Sequence, residues 1–226
     1  MHLWRLRVDA CDVDDWNRLS DAERKRAERV VIPSKQTQQV AARSGLRRIL
    51  SSYAGVDARD LEFAYGEHEK PRLVGALPWT PIFNLSHSGA WALVAVTGEG
   101  RVGVDVEHAR PGRDFMGISE RFFALEEREY LARVDPGLVD VAFYRAWTRK
   151  EAYLKAWGTG LSFASSRFAI EYGPDGPGRV LRTEMPDDRP EDWHFVDLEV
   201  DARYPAAACW DRVVTELETF ELISSM

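Results

Sequence analysis

Valines and acids alternate over residues 101–108, RVGVDVEH. Val102, Val104 and Val106 fall on one side of the pattern, Asp105 and Glu107 on the other. A period of two marks a strand, because successive side chains of an extended chain leave opposite faces. MHLWRLRV, LEFAYG, PIFNLSHS, WALVAVTG, FAIEYG, RVLRTEM, DWHFVDLEVD and YPAAACW also read as strands, and the tail TELETFEL as a strand or a short helix. EHEKP, GEG and PDGPG are turns. Helical periodicity runs through LSDAERKRAERV, SKQTQQVAARSGLRRILSSYAG, ISERFFALEEREYLARV and LVDVAFYRAWTRKEAYLKAWG. Ser20 and Glu23 form a capping box at the first of these, and Gly55 stops the second. The order strand, two helices, several strands occurs twice. It predicts an α+β fold of two similar halves, residues 1–100 and 101–226, with no linker between them.

Composition narrows the class. Of 226 residues, 45% are hydrophobic and eight are tryptophan, which excludes a disordered chain. The net charge of −7 gives no overall attraction for nucleic acid or an anionic membrane, so any basic site is local. The N-terminus lacks the apolar run of a signal peptide, and no stretch is apolar for long enough to span a bilayer. Cys11 and Cys209 belong to no CxxC pattern; they read as free thiols in a reducing cytoplasm, with a single disulfide as the alternative.

The candidate chemistry begins with the two acids of the 101–108 strand. An exposed strand face would explain them, since a strand often has one wet side. A hard cation would explain them too, given a third oxygen donor and a ligand phosphate. Glu151 offers the third oxygen. It lies on the last long helix at the edge of the face formed by Phe143, Trp147, Lys150 and Leu154, where a carboxylate is costly unless satisfied. Pairing with Lys155 at i+4 is the plainer alternative for it.

GVDVE followed about forty residues later by WTRKEAYLKAWGTGL resembles the signature pair of the 4′-phosphopantetheinyl transferases of the Sfp type, in their W/KEA subgroup. KP at 70–71 and FNLSHSG at 83–89 resemble two further motifs of that family, so the likeness spans roughly residues 65–161. It implies two α+β subdomains packed as a pseudo-dimer, acting as a monomer with no nucleic-acid or membrane partner. It also implies transfer of the phosphopantetheine arm of coenzyme A to a serine of an apo acyl or peptidyl carrier protein, releasing 3′,5′-ADP. The W…KEA variant resembles the subgroup serving secondary-metabolite carriers; the carrier itself is not named by the residues.

By the same resemblance Asp105, Glu107 and Glu151 bind Mg²⁺, with Mn²⁺ as a substitute, and the cation also holds the CoA pyrophosphate. Lys150 and Lys155 meet the CoA phosphates, and Lys155 assists the leaving oxygen. Ser86 and His87, read as lying in a loop between strands, contact phosphate, His87 taking the 3′-phosphate. Lys70 faces the same region. Arg43 is the preferred CoA contact before residue 65. Arg47 and the run Arg24, Lys25, Arg26, Arg29 match the family only loosely. Glu151 or a metal-bound water takes the serine proton. Gly158 and Gly160 read as a helix stop, not a phosphate loop, because they follow a helix. Phe122 and Phe123 are core, or else border the carrier surface. A non-catalytic CoA- or carrier-binding module of the same fold is the alternative function. An Mg²⁺-dependent phosphohydrolase explains the acids but neither NLSHS nor the lysines.

Overall fold

The computed structural model describes residues 1–66, 68, 70–173, 176–214 and 216–222. Parts of the expected turns EHEKP and PDGPG, and Thr215 of the tail, lie outside the described residues.

The first alternating segment forms β1 (His2–Arg7), which lies between two partners. It pairs antiparallel with β5 (Trp91–Thr97) and parallel with β11 (Glu218–Leu222). β4 (Ile82–Ser88) completes the order β11-β1-β5-β4. The tail is therefore a strand, and the first sheet takes its outer strand from the far end of the chain. Every other strand of the first sheet precedes residue 100, and every strand of the second follows it. The second sheet is antiparallel, in the order β6 (Val102–Val106), β10 (Pro205–Trp210), β9 (His194–Glu199). Two hairpins stand apart: β2 (Glu62–Tyr65) with β3 (Pro71–Val74), and β7 (Phe168–Ile170) with β8 (Val180–Thr183).

α1 (Val13–Arg18) is not marked by hydrophobic periodicity. It is held by Asp12 and Asp15, each accepting the other's backbone N–H. α2 (Asp21–Glu28) starts on the expected Ser20–Glu23 capping box. α3 (Pro33–Ala54) and α6 (Val139–Trp157) end at Gly55 and Gly158, both left-handed. Residues 118–134, expected as one helix, lie in two: α4 (Phe115–Phe122) and α5 (Leu125–Leu131). The chain extends at Phe123 and Ala124 so that the Phe123 ring can enter the core and stack on Phe143 at 5.2 Å. The Glu127 side chain then accepts the Ala124 N–H and restarts the helix. Phe123 is thus core, and Phe122, half-buried, packs edge-on against Trp147.

The first sheet is covered on both faces. Leu46, Ile49 and Leu50 of α3 pack on Leu6, Phe83, Val94 and Val96. Leu3, Trp91, Leu93 and Ala95, on the other face, meet Val102, Val104 and Val106 of β6. α6 lies across the opposite side of β6, and Gly103 sets how close it comes. A Cβ there would stand 1.9 Å from the Ala152 carbonyl oxygen and 2.6 Å from the Ala156 nitrogen, so any other residue would push the helix away. All five residues of β6 are buried. The strand has no wet side: its alternation reflects two different protein neighbours, valines toward one sheet and Gly103 and Asp105 toward a helix.

Candidate active site

Because α6 touches β6, Glu151 and Lys155 reach the acids. Asp105 is 3% exposed. Its Oδ1 accepts from Lys155 Nζ at 2.5 Å and from Ser86 Oγ at 2.9 Å, while its Oδ2 is buried with no hydrogen-bond partner among the described residues. Lys155 also donates to Ser86 Oγ at 2.7 Å. The lysine thus pairs with Asp105 across the interface; the i+4 pair with Glu151 is not among the ion pairs of the described residues. Glu107, half-buried beyond the end of β6, accepts from Ser88 Oγ at 3.3 Å. Burial first and then Asp105 raise the Glu107 carboxyl above its ordinary value. Glu151 is pushed up to about 7, by burial and then by Asp105, against the opposing pull of Lys155.

The three acids feel one another electrostatically. Even so, no group of three or more His, Cys, Asp or Glu side chains among the described residues is arranged to hold a metal as placed. The donor set still fits a hard divalent cation. It is all oxygen, it repels itself, and it includes one buried carboxylate oxygen with nothing to bind.

Two expected phosphate ligands are engaged elsewhere. Lys150 is 2% exposed, and its ammonium bonds both oxygens of Glu127, at 2.9 and 2.7 Å, and the Phe168 carbonyl at 2.9 Å. Consecutive helix residues point about 100° apart, so when Glu151 faces β6 its neighbour must face the core. Lys70 donates to the carbonyls of Val102 and Ala156, at 3.2 and 2.9 Å, bridging the start of β6 to the last turn of α6. Burial lowers its pKa to about 8. Its charge complements the carbonyl end of the helix and is not directed at a phosphate pocket.

Ser86 and His87 lie within β4 and not in a loop. Neighbours in a strand face opposite ways, so the two residues serve different sites. Ser86 faces the acids. His87 stands on the α3 side, exposed at the rim of a pocket of about 200 Å³ lined also by Glu23, Arg26, Arg43, Tyr65 and Leu85. The pocket walls, then Lys155 and Lys35, hold the imidazole below its ordinary pKa. Arg43 donates Nε to Glu23 and Nη2 to Tyr65 Oη at 3.0 Å, and lies 4.0 Å from the Phe63 ring centre. Arg26 stands over the Tyr65 ring. Arg47 is buried and structural, donating to Glu23 and to the carbonyls of Ala58 and Leu61. Arg24 donates to the carbonyls of Trp16 and Asn17. Of the basic run, Arg26 is the residue that lines a pocket together with Arg43 and its partner Glu23. Tyr65 and Glu23 carried no signal for this role in the sequence. A larger cavity, about 630 Å³ between α6 and the β9–β10 turn, contains none of these residues.

Residues 101–209, which carry the acids and both α6 lysines, match the family ACPS, the 4′-phosphopantetheinyl transferase superfamily. Over 219 residues the chain is 33% identical to the 4′-phosphopantetheinyl transferase HetI of Nostoc sp., covering 86% of this chain and 92% of that one. It is 31% identical to the 4′-phosphopantetheinyl transferase Sfp of Bacillus subtilis over 166 residues, 73% of this chain and 69% of that one. A solved ACPS–CoA complex from Chronobacterium ammoniagenes superposes with a TM-score of 0.36 at 21% identity, covering 49% of this chain and 95% of that one. The chain belongs to the 4′-phosphopantetheinyl transferase superfamily and is a transferase enzyme.

Proposed function

We propose that this enzyme moves the 4′-phosphopantetheine arm of coenzyme A to a serine hydroxyl of an apo carrier protein and releases 3′,5′-ADP. The observation that carries the reading is the unpartnered Asp105 Oδ2, buried beside Lys155 and within the field of Glu107 and Glu151. Asp105, Glu107 and Glu151 are the residues we assign to hold Mg²⁺ or Mn²⁺. A cation bound there supplies charge neutralisation at the CoA pyrophosphate.

The chain's own groups divide the rest of the work. Lys155 faces the acids with an ammonium that can turn to the phosphate and steady the departing ADP oxygen. Glu151 is the group assigned to accept the serine proton as the serine oxygen bonds to phosphorus. The bond from that phosphorus to the ADP oxygen breaks. Arg43, Arg26 and His87 form the anion pocket assigned to the nucleotide phosphate end of CoA. Cys11 and Cys209 are free, which suits a reducing cytoplasm. No helix among the described residues is long and apolar enough to cross a membrane.

Incubation with CoA and an apo carrier, followed by intact mass, tests the reading. The carrier should gain one phosphopantetheine, and exhaustive chelation should abolish the gain. Hydrolysis of CoA without transfer, or binding without turnover, would overturn it.

A further inference from the structure

β4 and β6 are each the edge strand of a different sheet. β6 pairs with β10 along one backbone edge, and that direction continues in Glu107 and Ala109, whose N–H groups donate to Pro205 and Arg203. The N–H groups of Val104, Val106 and His108 lie on the other edge, where no strand accepts them. A buried backbone donor left without a partner is costly. Here Val104 N donates to Asn84 Oδ1 at 2.9 Å, Val106 N to Ser86 Oγ at 3.4 Å and His108 N to Ser88 Oγ at 3.0 Å. The pairs 84/104, 86/106 and 88/108 advance in step. Side-chain oxygens of one strand thus replace the carbonyls that a parallel neighbour would have offered.

The two serines do more than stitch. A hydroxyl has one proton to donate and two lone pairs. Ser86 gives its proton to Asp105 Oδ1 and accepts from Val106 N and Lys155 Nζ. Its hydroxyl thus ties the edge of β6, Asp105 and Lys155 together. Ser88 gives its proton to Glu107 Oε2. Asn84 touches neither acid among its hydrogen bonds in the described residues.

We propose that Ser86 and Ser88 are positioning residues for the acidic cluster. By fixing Asp105 Oδ1, Ser86 and Lys155 leave Oδ2 as the oxygen turned toward a cation. Ser88 does the same for Glu107 from one step along the strand. This rests on the reading of Asp105, Glu107 and Glu151 as cation ligands.

The test titrates the full chain with Mn²⁺ alone, without CoA or carrier, and measures melting temperature and KM for CoA at saturating Mg²⁺ alongside. In Ser86→Ala the Mn²⁺ dissociation constant should rise about tenfold, the loss of roughly one charge-assisted hydrogen bond. Ser88→Ala, removing a longer bond at a half-buried position, should weaken Mn²⁺ by about threefold. Ser86→Thr, which keeps the hydroxyl, should restore wild-type binding. Asn84→Ala should lower the melting temperature with Mn²⁺ binding unchanged. Wild-type Mn²⁺ affinity in Ser86→Ala with a raised KM for CoA would overturn the proposal and return Ser86 to the phosphate. If Ser86→Ala does not fold, wild-type Mn²⁺ affinity in Ser88→Ala would overturn it as well. A wild-type enzyme that binds no Mn²⁺ and transfers without a divalent cation would instead overturn the cation reading, and this proposal with it.

Discussion

At the scale of single residues, Glu151 shows how burial and neighbours set chemistry. Its carboxyl, ordinarily near 4.5, is held at about 7 in the folded chain by burial and then by Asp105. The stabilisation from keeping that proton is fully present below about pH 4.5 and is lost as the pH climbs through about 7. In chelator, the melting temperature should therefore fall between pH 5.5 and pH 8, on the order of 5 °C, because 1 kcal/mol moves it by about 2–4 °C in a chain of this size. Glu151→Gln should flatten that slope, and added Mg²⁺ should raise the melting temperature more at pH 8 than at pH 5.5. An unchanged slope in the variant would place the titrating group elsewhere. His87 gives a second expectation. In a pocket shared with Arg26 and Arg43, His87→Ala should raise KM about ten- to a hundredfold for CoA and less for dephospho-CoA, which lacks the 3′-phosphate. Equal effects on both substrates would remove that phosphate from His87.

At the scale of elements, the Lys150–Glu127 pair fixes how α6 is rotated against its neighbours. Glu127 opens α5 and accepts the backbone N–H groups of Ala124 and Ile170 as well as the lysine; the lysine reaches Phe168 of β7. Every donor of the ammonium is used and both side chains are almost wholly buried. Breaking such a pair leaves an uncompensated buried charge and costs about 3–5 kcal/mol, whereas replacing both partners by apolar groups can be near neutral. Lys150→Met and Glu127→Leu should each lower the urea midpoint sharply, and the double variant should recover much of the loss. Mn²⁺ binding per folded molecule should change little in the double variant. A double variant as unstable as the sum of the singles would show that the two residues do not act as a pair.

At the scale of the whole molecule, the chain closes on itself. β11 shields the edge of β1, and Phe220 stacks on Trp4 at 4.6 Å while meeting His2 edge-on at 5.2 Å. An uncovered edge of β1 would expose backbone donors and acceptors to other chains. Phe220→Ala should cost about 1–2 kcal/mol, the loss of a half-buried ring and its stacking, with carrier loading per folded molecule unchanged. Loss of loading in step with stability would not fit a strand that serves only the first sheet. The two sheets are joined elsewhere, by the β4 side chains that bond the free edge of β6 and by the apolar contact beneath them.

The local patterns of the sequence determined the elements that set the site. Alternation placed β1 and β6, the capping box placed the start of α2, and glycines placed the ends of α3 and α6, because these depend on side-chain direction and backbone freedom within a few residues. The motif pair around Asp105 and Glu151 fixed the family, since it pairs residue types at a spacing few other sites need. The period of two within FNLSHSG already separated Ser86 from His87. Reading the segment as a loop concealed that separation, and with it the link from Ser86 to Asn84 and Ser88. Tertiary structure alone decided the rest. Which ammonium meets the acids depends on the rotation of α6, so Lys155 reaches Asp105 while Lys150 is enclosed with Glu127. Lys70 caps a helix 86 residues away in sequence, and Arg26 joins a pocket with Arg43 only when α2 packs against α3. Distances across the chain are set by packing, and packing is not written in the neighbours of any one residue.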